Sequence, residues 1–194
     1  MGESMKLFDI TKELFSTTPF EGDPEPRLSY IKQMRYGDEY NLSFIALSPH
    51  NSTHADAPKH FLNNGKTIEK APLHKFIGKA RVVEAAGELG REEMKELLQP
   101  SDERLLIKGD ATITKEGAKV IVNSGLLLIG VAGASVANSA DTVATHRILL
   151  QSEVAILENL YLDEIVPDCY FLMAQPLKWA GVEASPVRAV LMKE

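Results

Sequence analysis

The stretch HNSTHADAPKHF, residues 50–61, packs three of the chain's five histidines and an aspartate into one short segment. A helix would bring His50 and His54 to one face, but at about 100° per residue it would turn Asp56 and His60 to the far side. Pro58 also opposes a helix, because it lacks an N–H and pushes Ala57 toward extended geometry. An extended chain does better: all four polar residues have even numbers, and alternate strand side chains share a face. Yet a straight strand would hold His50 and His54 about 13 Å apart, whereas imidazoles bound at about 2.0–2.1 Å from one zinc nearly touch. The chain must therefore curl, and Asn51, Ser52 and Thr53 are residues that permit a turn through local side-chain bonding.

This reading predicts a loop leaving a strand, with His50, His54 and Asp56 converging and His60 further along as another ligand or an acid/base. Nitrogen and oxygen donors without a thiolate suit Zn²⁺ or Mn²⁺ better than an iron–sulfur centre. So few donors leave positions for water, the mark of a catalytic site. The bland alternative is a solvated, histidine-rich loop. Three histidines and an aspartate so close together, when the rest of the chain holds only two histidines, favour the metal.

Around this segment the pattern is α/β. KLFDI (6–10) reads as a strand, and LSYIKQMRY (28–36) with EYNLSFIAL (39–47) as a hairpin turning at Gly37-Asp38. ARVVEA (80–85) and RLLIK (104–108) are strands flanking the charged helix REEMKELLQP, which stops before Pro100. In TKEGAKVIVNSG (114–125), Ala118, Ile121 and Val122 have helical spacing and Gly125 is suited to follow the last turn. LLLIGVAG (126–133) reads as a buried strand. SADTVATHRILLQSE (139–153) reads as a helix capped by Ser139 or Asp141. VAILENL, CYFLMAQ and RAVLM supply further strands. GVAGAS does not form GxGxxG, so no nucleotide site is read there.

The 194 residues suit one domain, and 44% hydrophobic with 25% charged residues are ordinary globular values. A net charge of −6 gives no reason to bind nucleic acid. The longest apolar run falls far short of the roughly 20 residues that span a bilayer. The first residues lack a secretory pattern, the second methionine at Met5 allows Met1 to Ser4 to be an added leader, and the lone Cys169 fits a reducing cytoplasm.

Of the remaining histidines, His74 lies among apolar residues without nearby carboxylates and reads as structural or exposed. His146 precedes the strand AILENL, which embeds Glu158 among apolar residues. A buried carboxylate is costly unless paired or metal-bound, which singles out Glu158.

These residues resemble a known family. HNSTHADAPKHF is similar to the HxGTHxDxPxHF signature of the cyclase family of metal-dependent hydrolases, which includes bacterial kynurenine formamidases and isatin hydrolases. HRILLQSEVAILENLYLDEI (146–165) resembles the family segment in which a histidine and a glutamate twelve residues later complete the site. EGDP (21–24), residues 65–84 and residues 171–191 also look like family segments. The resemblance implies a swivelling β/β/α-type fold around a mixed central sheet, as one domain over 1–194. It implies two divalent metals, Zn²⁺ or Mn²⁺, with His50, His54 and Asp56 on one, His146 on the second, Asp56 and Glu158 bridging, and His60 moving the proton. It also implies a homodimer or homotetramer acting on a small amide or cyclic amide, arylformamide first. Two other functions stand beside that one: a metal-dependent cyclase or lyase on a small carbonyl metabolite, and a non-catalytic binding protein. The sequence departs from the pattern at Ser52, where the family has glycine, and at Phe20, where formamidases tend to carry a substrate-packing tryptophan.

Overall fold

The computed structural model describes residues 5–193; the candidate leader Met1–Ser4 lies outside the described residues. Among the described residues, thirteen strands and three α-helices follow one another. They are β1 (Lys6–Asp9), β2 (Arg27–Lys32), β3 (Leu42–Ala46), β4 (His54–Asp56), β5 (Ile77–Glu84), β6 (Gly87–Leu89), α1 (Arg91–Leu97), β7 (Arg104–Lys108) and β8 (Ala111–Ile113). After these come α2 (Lys115–Ser124), β9 (Leu128–Val131), α3 (Thr142–Gln151), β10 (Ala155–Glu158), β11 (Cys169–Met173), β12 (Ala184–Pro186) and β13 (Val190–Lys193).

Nine of the strands form one mixed sheet in the order β1-β13-β11-β5-β7-β9-β10-β4-β12. Its centre, β5-β7-β9-β10, is parallel because helical crossovers join those strands, and both flanks are antiparallel. Strand alternation sorts the core into two layers. Leu105, Ile107, Ile129, Val131 and Ile156 face the helices and pack with Met94, Ala118, Ile121 and Leu149. Leu106, Leu128, Ala155 and Leu157 face the opposite side, with Ala55, Ile10, Leu172 and Leu191. That second layer draws residues from both ends of the sheet, so the sheet curls over it. A bridge between Thr11, just past β1, and Leu160, just past β10, marks the closure.

The single domain and the α/β class agree with the sequence reading, and the differences have local causes. The hairpin exists, but its turn is not the two residues Gly37-Asp38: Asp38 Oδ2 accepts from Gln33 N at 2.7 Å and Asn41 Oδ1 from Met34 N at 2.9 Å. These bonds close a wider loop containing a one-turn 3₁₀ helix, Met34–Tyr36, and Gly37 takes φ 99° at its end. Helix α3 starts after Asp141, whose side chain does not cap it. Asn138 organises that start instead, Oδ1 accepting from Asp141 N at 3.0 Å and its carbonyl from Thr142 Oγ1 at 2.6 Å. Strands β6, β8 and β12, three residues each, were too short to carry a periodic signal. Gly130 in β9 has a packing reason, since a Cβ there would meet Leu106 Cδ2 at 2.5 Å and Leu160 Cδ1 at 2.8 Å.

Arg81 on β5 and Asp102, just before β7, form a fork-to-fork pair, Nε to Oδ1 at 2.8 Å and Nη2 to Oδ2 at 2.5 Å. Burial pushes the Asp102 carboxyl up, but the bonds from Arg81 and from Gln99 N outweigh it and leave it below its ordinary value. The pair therefore adds stability that is fully present above the unfolded carboxyl's pKa, about 3.9, and is lost as pH falls through the lower folded value. Asp102→Asn is expected to cost about 1–3 kcal/mol in urea unfolding at neutral pH and to flatten the acid limb of the stability profile. A variant as acid-sensitive as the native chain would show that the pair contributes nothing.

Candidate metal centre

The register of β4 against its neighbours builds the site. His54 lies opposite Glu158 of β10 and opposite Pro186 of β12, and Asp56 lies opposite Ile156 and Ala184. Paired residues project to the same side of a sheet, so His54, Asp56 and Glu158 all point to the helical side, away from the layer that takes Ala55 and Ala57. His146 arrives from α3, packed on that side. His50 comes from the turn before β4, and His60 from a 3₁₀ turn with Pro58 at its start, where a missing N–H costs nothing.

His50 Nδ1 is 3.2 Å and His54 Nε2 3.4 Å from Asp56 Oδ1, and His146 Nε2 is 3.8 Å from Asp56 Oδ2. Glu158 stands 3.4 Å from His54 Nε2 through Oε2 and 3.2 Å from His146 Nε2 through Oε1. Two triplets of donor atoms, His54–Asp56–Glu158 and His50–Asp56–His60, each lie within 4.8 Å of one another. Asp56 belongs to both.

Four buried atoms here have no hydrogen-bond partner: His50 Nε2, His54 Nε2 and both oxygens of Asp56. Buried polar atoms without partners are costly, and a divalent cation would satisfy them. The imidazoles are also preset for one. His54 Nδ1 is 2.8 Å from the Ser52 carbonyl and His146 Nδ1 2.8 Å from the Thr142 carbonyl, so each Nδ1 carries the proton and each Nε2 faces the site. The donor set thus fits Zn²⁺ or Mn²⁺, with nitrogen and carboxylate ligands and no sulfur.

Charge balance tells the same story. Burial would lower the His54 pKa, but Asp56 and Glu158 outweigh it and raise it to about 10. Burial would also lower His146, and Glu158 with Asp56 turns that into a rise. Burial pushes Asp56 up, yet His50 and His54 hold it well below the carboxylate range. In Glu158 the upward push of burial and of the Asp56 charge is overcome by His146 and His54. His60 differs: burial lowers its pKa, which keeps it neutral.

A cavity of about 160 Å³ opens onto His50, His54, His60, His146 and Glu158, with Phe20, Asp23, Phe61 and Ser135 in its wall. Phe20, expected to face a substrate, does line it, and Phe61 stacks on His146 with ring centroids 4.4 Å apart. His74 is exposed on a 3₁₀ turn, away from this site.

The sequence profile of the Cyclase family, described as "Putative cyclase", matches residues 8–156, a span carrying His50, His54, Asp56, His60 and His146. The chain belongs to the Cyclase family. Solved structures similar to this Cyclase-family chain include a potential metal-dependent hydrolase with cyclase activity, at 23% identity and TM-score 0.85, covering 98% of this chain and 99% of that one. A predicted metal-dependent hydrolase from Bacillus stearothermophilus matches at 24% identity and TM-score 0.83, with coverages of 98% and 100%. Isatin hydrolase A from Labrenzia aggregata, bound to benzyl benzoate, matches at 19% and TM-score 0.85, with 97% and 93%. The fold is thus that of cyclase-family metal-dependent hydrolases.

Two parts of the site carried no sequence signal. Glu183 Oε1 lies 3.5 Å from His50 Nε2, brought there when Ala57 N donates to the Glu183 carbonyl at 2.8 Å beside the β4–β12 pairing. Val136 N donates to Glu158 Oε1 at 2.6 Å, a backbone contact that residue type does not announce.

Ser52, the departure from the family glycine, has φ 60°. The left-handed conformation costs a non-glycine residue about 1–2 kcal/mol. Its hydroxyl compensates, donating to the Lys12 carbonyl at 2.8 Å and lying 3.2 Å from Thr17 Oγ1. Ser52→Gly is expected to shift unfolding free energy by less than about 1 kcal/mol, as strain relief and a lost bond cancel. Ser52→Val should cost more than about 2 kcal/mol, because it keeps the strain, adds a β-branch and loses the bond. Equal stability of the two variants would refute this account.

Proposed function

We propose that this Cyclase-family chain is a metal-dependent hydrolase of a small amide or cyclic amide, with arylformamides the leading substrate class. The observation that carries the reading is the cluster of four unpartnered buried atoms, His50 Nε2, His54 Nε2 and both oxygens of Asp56, beside a cavity that His50 and His54 line. His54, Asp56 and Glu158 would hold one divalent cation, Zn²⁺ or Mn²⁺. Asp56 with His50 offers part of a second position, where His60 stands close enough to act on a proton, and His146 lies against both Asp56 and Glu158. Such cations supply Lewis acidity toward water and a carbonyl oxygen.

The chain's own residues do the rest. Phe20 and Phe61 offer apolar ring surfaces to a planar aromatic group. A cavity of about 160 Å³ is smaller than the roughly 300–1,000 Å³ of drug-sized sites, which favours a compact substrate. His60, kept neutral by burial, can take a proton from the attacking water at a ring nitrogen and deliver it to the leaving nitrogen. No serine nucleophile is needed. The free, exposed Cys169 fits a cytoplasmic setting, and no helix among the described residues is long and apolar enough to cross a membrane.

Asp56→Asn is expected to lose bound metal, measured by elemental analysis, and more than about 100-fold in activity, the upper range for groups that merely support a ligand. His60→Ala should lower kcat by about 10²–10⁴ with metal content kept; loss of metal instead would make His60 a ligand. Hydrolysis in ¹⁸O-water should place the label in the product acid. An unlabelled product, as from a cyclase or lyase, or full turnover after chelation, would overturn the hydrolase reading.

Metal affinity should also depend on pH. A cation replaces the proton that Asp56 and Glu158 stabilise on His54, whose pKa is raised to about 10, so binding releases that proton and strengthens as pH rises. Chelator-competition titrations from about pH 6 to about pH 8 should show about a tenfold gain per unit for each proton displaced. A pH-independent affinity would mean that His54 is not a ligand.

A further inference from the structure

Lys12 follows β1 and is half-buried. Its ammonium donates to two neutral oxygens, the Ala132 carbonyl at 2.8 Å and Asn159 Oδ1 at 3.3 Å, rather than pairing with a carboxylate. Burial pushes its pKa below the ordinary lysine value, and Asp163 offsets only part of that penalty. The main chain of the same residue is also committed. Lys12 N donates to Thr53 Oγ1 at 2.9 Å, and the Lys12 carbonyl accepts from Ser52 Oγ at 2.8 Å. Thr53 Oγ1 in turn donates to the Asn159 carbonyl at 2.5 Å.

One residue thus reaches the start of β4, the loop after β9 and the end of β10. Each leads to the metal centre. Thr53 precedes His54, Asn159 follows Glu158, and the loop from Ala132 carries Val136, whose N–H donates to Glu158 Oε1 at 2.6 Å. The junction needs holding, because Asn159 takes φ 57°, a left-handed conformation that costs a non-glycine residue energy. Asn159 N donates to the Gly133 carbonyl at 2.8 Å, which lays the turn after Glu158 against the loop after β9, and the ammonium bridges the two beside that contact.

We propose that Lys12 is a positioning residue of the metal centre: by clamping Ala132 to Asn159 it fixes where Glu158 and the Val136 N–H stand, and so presets Glu158 for the cation. This rests on the reading of Glu158 as a ligand. Lys12 is not in the cavity wall and touches neither cation nor substrate. A peg that merely stabilised the fold would lower the unfolding free energy and leave the metal affinity of the folded chain alone. A residue that orders a ligand changes that affinity.

Lys12→Met keeps the apolar stem and removes the ammonium. Titration of Zn²⁺ into the metal-free full chain against a chelator should show an affinity lower by about tenfold, the low end of the range for groups that support a ligand. The visible absorption of the Co²⁺-loaded variant should shift as well. An affinity within about twofold of the native chain, or an unchanged cobalt spectrum, would make Lys12 a structural peg and overturn the proposal. If Lys12→Met does not fold, Asn159→Gly decides, since glycine accepts φ 57° and removes the oxygen that the ammonium holds. A several-fold weaker Zn²⁺ affinity in that variant supports the clamp, and a native affinity refutes it. Asp56→Asn is titrated alongside. A native chain that takes up no Zn²⁺, or an Asp56→Asn variant that binds as the native chain does, would bring down the metal reading and the clamp together. Binding lost in Asp56→Asn but kept in Lys12→Met would sink the clamp alone.

Discussion

Two carboxylates, Asp56 and Glu158, are buried with only histidines as ionic partners among the described residues. Taking such charges out of water costs several kcal/mol each unless partners are close and well placed. Much of the surrounding architecture meets that requirement. The β4–β10 register sets His54 against Glu158, the start of α3 brings His146, and the loop after β9 turns the Val136 N–H onto Glu158. A one-residue slip of β4 would send His54 and Asp56 into the apolar layer that holds Ala55 and Ala57.

The position of the site follows from the sheet. Glu158 ends β10, and Ala134 and Ser135, from the loop after β9, enter the cavity wall. In α/β sheets the carboxyl ends of parallel strands are where loops diverge and leave space for a ligand. Here β4, running antiparallel to β10, starts at the same end, so three short segments distant in sequence meet there.

Much of this was legible in the sequence. Parity alone placed His54 and Asp56 on one side of a strand, and the distance between His50 and His54 required the curl that the Ser52 turn provides. The strands with strong apolar runs, β7, β9 and β10, sat where their composition put them. What escaped was set by contacts between distant segments. Glu183 reaches His50 because β12 pairs with β4, and the three-residue β12 is too short for its period to be read. The wide loop of the hairpin depended on Asp38 and Asn41 accepting backbone N–H groups, which the Gly37-Asp38 pair masked.

The pairing of β1 with β13 bears on how the chain folds. Lys6 lies opposite Lys193, and β4 is held between β10 and β12. Contacts so far apart in sequence must close large loops before they return any stabilisation, which slows folding. The helices and the parallel centre can form from nearby segments, whereas the donor set waits for late strands. A cation held by this donor set would therefore bridge strands that the chain brings together only through long-range pairing.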